Sequence, residues 1–180
     1  MEILSHGLWT GAIYKITGIK IKRRFKIWRA VFWGVFPDFI AFTPLFIWLF
    51  WNIIFSGMNF ADFPHPDAVE PVSQNSLFIH NLTSMLYNMS HSVFVFIIVL
   101  GLLLIFNKRV WEMGGWLIHI LIDIPTHSYK FYPTPFLWPA SGWKFNGLSW
   151  ASLYFMIVNY TVIILVYIFL YRYRKRLGKV

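Results

Sequence analysis

The sequence predicts an all-α fold: a polytopic membrane bundle of about four membrane-associated helices with an amphipathic helix before them, in one integral membrane domain covering residues 1–180. Three observations lead there. Hydrophobic residues make up 58 % of the chain and aromatic residues 21 %, against 13 % charged. A soluble domain of this size has too little interior to hide so many Trp, Phe and Ile side chains, whereas lipid can cover them. Apolar runs recur at lengths suited to a hydrocarbon core about 30 Å thick. The basic residues then gather at the two ends. Lys15, Lys20, Lys22, Arg23, Arg24, Lys26 and Arg29 precede the first run, and Arg172, Arg174, Lys175, Arg176 and Lys179 follow the last. Clusters placed like this mark cytoplasmic flanks facing anionic headgroups. The placement therefore assigns the net charge of +9 to membrane lipid and argues against a nucleic-acid partner. The absence of cysteine rules out disulfides and thiolate sites, and residues 1–20 have no cleavable-signal pattern.

The elements follow in order. Residues 3–17, with Ile3, Leu4, His6, Leu8, Trp9, Ala12, Ile13 and Ile16, read as a short amphipathic helix at the membrane face or against the bundle. A first span covers Ala30 to Phe55, interrupted by Gly34, Pro37 and Pro44. Residues 56–76 carry Asp62, Asp67 and Glu70 but no Lys or Arg, which places them as an outer loop. Leu77 to Phe106 reads as one long helix, polar on one face in its first half. Asn107-Lys108-Arg109 is an inner turn. Glu112 to Ile124 is a short third helix, spanning fully or only half-way, which Pro125 ends or kinks by removing a donor and clashing one turn back. A Pro- and aromatic-rich loop, 126–149, leads to the last span, Trp150 to Tyr171. Four crossings put both termini in the cytoplasm, and the membrane expected is a bacterial inner membrane.

Chemistry concentrates in Trp116-Leu-Ile-His119-Ile-Leu-Ile-Asp123-Ile-Pro-Thr-His127. Positions i and i+4 share a helical face, so His119 and Asp123 point the same way. A carboxylate buried among apolar residues costs several kcal/mol unless it is paired or bound to a cation. Asp38 and His91 also stand at apolar depth, and His6 lies on the N-terminal helix. Imidazole nitrogen and carboxylate oxygen are ligands for zinc and similar divalent ions, which generate hydroxide from bound water. The bland readings are a hydrogen-bonded structural histidine for His6 or His80, a helix N-cap for Asp38, loop chemistry for His65, and an interhelical ion pair for His119 with Asp123. His127 ranks second, because Pro125 breaks the helix that would align it.

The order Ser5-His6-Gly7, Gly34-Val-Phe-Pro37-Asp38, Ser90-His91-Ser92, His119-Ile-Leu-Ile-Asp123 and Leu137-Trp138-Pro139 resembles the uncharacterised membrane-bound metal-dependent hydrolases, a family distantly similar to zinc-dependent phospholipase C. The resemblance covers the chain from His6 to about Trp150. It implies His6, Asp38, His91, His119 and Asp123 as metal positions, with His127 less securely among them. The expected function is hydrolysis of an ester or phosphoester, with a lipid arriving laterally as one substrate. In that scheme either Asp123 or Asp38 is the catalytic base. The loop bearing Tyr129, Lys130, Tyr132, Trp138, Trp143 and Lys144 covers the site. A small transporter relaying protons or metal ions through the same residues is the alternative, and a non-catalytic scaffold with a polar core is a third. One geometric demand stands out. His91 and His127 start from the outer side and His6 and Asp38 from the inner, so they meet only deep in the bundle, with the first span broken at Gly34 or Pro37.

Overall fold

A computed structural model describes residues 1–57, 59, 78–106, 111–130 and 132–177. Among these residues the chain is helical and has no strand: α1 (Ile3–Lys20), α2 (Ile27–Phe55), α3 (Phe78–Ser90), α4 (Val93–Ile105), α5 (Gly114–Thr126) and α6 (Leu153–Leu177), with a 3₁₀ turn at Trp111–Met113 before α5. The outer loop expected at 56–76, with His65, and the inner turn at 107–109 lie largely or wholly outside the described residues. Two helices, α2 and α6, are long and apolar enough to cross a membrane, and the bent pair α3–α4 makes a third if it counts as one span.

Glu2 starts α1, its carboxylate accepting from the Leu4 and Ser5 amides at 2.7 and 3.0 Å. A carboxylate there satisfies free donors at the positive end of the helix. Of the two settings expected for it, α1 takes the second: it packs on the bundle, burying Ser5, His6, Gly7, Thr10, Gly11, Ala12 and Tyr14. Its chain reverses through Lys22, which takes φ 53°.

The 29 residues of α2 extend about 43 Å at 1.5 Å per residue, and this helix touches α1, α3 and α5. Contrary to expectation it does not break at Gly34 or Pro37. Both prolines lie inside one helix, as membrane helices tolerate where neighbours stabilise the backbone. Asp38 consequently sits mid-helix and caps nothing.

Close approach brings the centre together. A β-carbon at Gly34 would stand 2.3 Å from Thr10 Oγ1, and one at Gly115 would stand 2.4 Å from Ala30 O. Small residues allow helices to meet backbone to backbone in lipid, where no hydrophobic force drives association. Thus α1, α2 and α5 converge at one level.

The long helix expected from 77 to 106 is two helices meeting at 62°. Ser92 caps α4, its Oγ accepting from Val95 N at 3.2 Å and donating to Trp138 O. The break at Ser90-His91-Ser92 carries His91 inward. Beside it Phe96, Met113, Trp116 and Ile120 form an apolar core with Trp33 and Phe36 packed on it. Trp116 Nε1 donates to Ser90 O at 2.6 Å, tying α5 to the bend. Large apolar side chains such as Ile47, Trp51, Ile98, Ile105, Leu165 and Phe169 face outward, as a lipid-facing surface does.

The last helix packs chiefly on α1, and its contacts are polar. Asn159 accepts from Trp9 Nε1 at 2.9 Å and donates to Ser5 Oγ at 2.7 Å, while Tyr160 OH donates to Glu2 at 2.8 Å.

Candidate metal centre

Asp38 from α2, His91 from the α3–α4 bend, and His119 and Asp123 from α5 place four ligand atoms within 4.8 Å of one another, all four residues buried. His91 Nε2 and His119 Nε2 are 3.0 Å apart. Asp123 Oδ2 lies 3.1 Å from His119 Nε2 and 3.4 Å from His91 Nε2. Asp38 Oδ1 is 3.4 Å from His91 Nε2 and 3.7 Å from His119 Nε2. Ligands at the corners of a zinc tetrahedron with 2.0–2.1 Å bonds are roughly 3.3 Å apart, so these spacings fit.

The protonation pattern points the same way. His119 Nδ1 faces Gly34 O at 2.7 Å, and His91 Nδ1 faces Tyr87 O at 3.1 Å. A carbonyl only accepts, so each Nδ1 carries hydrogen, and it is Nε2 of each ring that turns inward, a lone pair there whenever the ring carries one proton. Metal-bound imidazoles are oriented by this kind of outer hydrogen bond. Two lone pairs 3.0 Å apart beside two carboxylates repel unless a cation or protons lie among them. Asp123 Oδ2 makes no hydrogen bond of good geometry despite complete burial, an atom left orphaned in the way that marks an ion site. The residues present therefore fit a divalent ion.

The other oxygen of Asp123 faces a different group. His6 Nε2 stands 2.9 Å and His127 Nε2 3.3 Å from Asp123 Oδ1, and the Met1 amine contacts the same oxygen. His6 also stacks on the His119 ring, with centroids 3.7 Å apart. Burial, the largest influence, brings the His6 imidazole down from 6.5 to about 4; Asp123 pulls it upward, and His119 and the Met1 amine add to the lowering. His6 is thus an unprotonated donor at neutral pH.

All six expected site residues meet, without a broken first span. His127 lies outside the four-atom group, though not because Pro125 breaks the helix before it. Pro125 falls in the last turn of α5, and His127 follows as the C-cap, where its Nδ1 donates to Tyr132 O at 2.7 Å. Proline lacks only its own donor, so the turn survives long enough to deliver the next imidazole. His6 and His127 join Asp123 Oδ1 rather than the four-atom group. His80 is buried beside the Trp48 ring, 6.1 Å between centroids, in a structural setting. Of the covering loop, Tyr132 is buried against Tyr87 and Ala41, whereas Tyr129, Lys130 and Trp143 are exposed.

Sequence reasoning missed two supports. The Gly34 carbonyl that orients His119 left no signal, because any residue has a carbonyl. Asn159 did leave one: an amide inside the last apolar run, costly in lipid unless it bonds to another helix.

Fold and site together define a class: helices of membrane-spanning type around a buried His/Asp centre placed to hold a metal ion. No protein-family model, curated protein or solved structure matches the chain.

Proposed function

We propose that the chain is a metal-dependent membrane hydrolase that holds a divalent ion, zinc, on His91, His119 and Asp123, with Asp38 beside them as base, and cleaves an ester or phosphoester. One observation carries the reading: two inward imidazole nitrogens and two carboxylates, all buried, gather within 4.8 Å of one another. An ion held by such donors lowers the pKa of a bound water to about 7 and so supplies hydroxide at neutral pH. Gly34 O and Tyr87 O hold the two rings in the required tautomer. His6 Nε2 and the Met1 amine hold the far oxygen of Asp123, fixing the carboxylate from behind, and His127 Nε2 accepts from that amine at 2.6 Å. Asp38 alone of the four also lines an open cavity. It is therefore the carboxylate placed to take the proton of an attacking water, while Asp123 is the anchoring ligand.

The resemblance to membrane-bound metal-dependent hydrolases supports the same reading, and the basic flanks of α1 and α6 support a bacterial inner membrane with cytoplasmic termini. Elemental analysis of the purified chain beside a screen of carboxylate and phosphate esters tests it. Stoichiometric zinc or manganese, lost together with turnover in His119→Ala and Asp123→Ala, is the expected result. Metal-free protein, or turnover that survives both substitutions, would end the proposal.

A further inference from the structure

A cavity of about 730 Å³ lies between α1 and α2, within the range of sites that enclose small-molecule ligands. Its walls are almost wholly apolar, formed by Leu4, Leu8, Val31, Val35, Leu45 and Phe46. It also reaches Asp38, midway along the α2 wall, and His127, at the rim of the centre. Of its lining residues Leu4 is 60 % and Phe46 40 % exposed, and Phe39, Ile47 and Phe50 of α2 are exposed as well. Glu2, the acid that also borders the cavity, is engaged by Leu4 N, Ser5 N and Tyr160 OH.

From this we infer that the cavity is a tail site: it takes the acyl chain of a bilayer lipid, entering sideways between α1 and α2, and sets that lipid's ester or phosphoester against Asp38 and His127. The physical reason lies in the match of apolar walls to a tail and of polar rim to a head. A water-soluble substrate would leave the apolar walls hydrated and would have to cross an apolar mouth. An acyl chain moves from one apolar environment to another, so its transfer costs little, and the polar head can reach the buried donors without travelling through lipid alone. No Lys or Arg lines the walls, and the Met1 amine among them is engaged by Asp123 and His127. Specificity thus resides in the tail and at the centre. The inference rests on the reading of the centre as the reactive end.

The test uses the full chain with zinc in vesicles of phosphatidylethanolamine and phosphatidylglycerol doped with a phospholipid carrying a photoactivatable diazirine in one acyl chain. Labelling mapped by mass spectrometry should mark residues 4–8 and 31–46 above the outer face of α6 around Ile164 and Ile168. Leu45→Trp fills the cavity; Leu45→Phe is the milder substitution should the first misfold, with zinc content as the check on folding. Labelling of the cavity segments should be lost in the filled variant while that of α6 and the zinc content persist. Cavity labelling no greater than that of α6, or labelling undiminished in a filled variant of full zinc content, overturns the tail site. Cavity labelling that is lost on filling, in a protein that cleaves no ester, upholds the tail site and overturns only the hydrolase reading.

Discussion

Gly115→Ala probes how the centre is held. A β-carbon at Gly115 would stand 2.4 Å from Ala30 O and 3.0 Å from Gly34 N. Both are backbone atoms, so no side chain can swing aside. Ordinary contact begins about 1 Å further out, and α5 must draw back from α2 by roughly that much. His119 lies one turn beyond Gly115, and Gly34 one turn beyond Ala30, so the wedge acts beside the bond from His119 Nδ1 to Gly34 O, 2.7 Å long. Another 1 Å or so takes that separation outside hydrogen-bonding range. The expected cost is about 1–3 kcal/mol of stability from overpacking. Loss of the orienting carbonyl should also weaken metal binding roughly 10- to 100-fold. The assay is zinc competition against a chromophoric chelator in detergent, together with thermal unfolding. Gly101→Ala serves as control, since a β-carbon there meets nothing within 4 Å. If Gly115→Ala binds zinc as tightly as the unaltered chain, helix contact does not orient His119 and the reasoning fails.

Two further outcomes are expected. Asn159→Leu removes both side-chain bonds from α6 to Trp9 and Ser5, and interhelical bonds of this kind contribute about 1 kcal/mol in membrane proteins; unfolding in detergent should report a loss of that order, and an unchanged midpoint would contradict it. His6 gives the metal-free chain an acid dependence. Its folded-state value near 4 lies below the ordinary 6.5, so the unfolded chain binds a proton that the folded chain refuses. Stability is therefore intact above 6.5 and falls as the pH drops from 6.5 towards 4, by at most about 1.4 kcal/mol per unit from this one group. Denaturant titrations of metal-free protein at several pH values should show the fall, and His6→Gln should flatten it; equal slopes in the two proteins would refute the assignment.

Most of the site was legible because lipid-facing helices exclude charge. In such segments each ionisable residue stands out: Asp38, His91, His119 and Asp123 could be named without knowing how the helices pack. Helix ends were less legible. Pro37 and Pro44 looked like interruptions, yet α2 continues through both as one helix. Ser90-His91-Ser92 looked like the middle of a helix, but Ser92 caps a new one there. Local propensity favours neither outcome strongly, and tertiary contacts decide.

The sequence by itself determined that this chain is helical, suited to a membrane, and carries histidines and aspartates where burial makes them expensive. Those properties depend on composition and on a 3.6-residue period, both local. Only the tertiary structure decided that Asp123 turns one oxygen to His91 and His119 and the other to His6 and His127, that Gly34 and Gly115 let three helices meet at that level, and that an apolar cavity leads to Asp38. These are relations between residues as far apart as 6 and 127, set by how closely backbones approach, and no one-dimensional pattern encodes that distance.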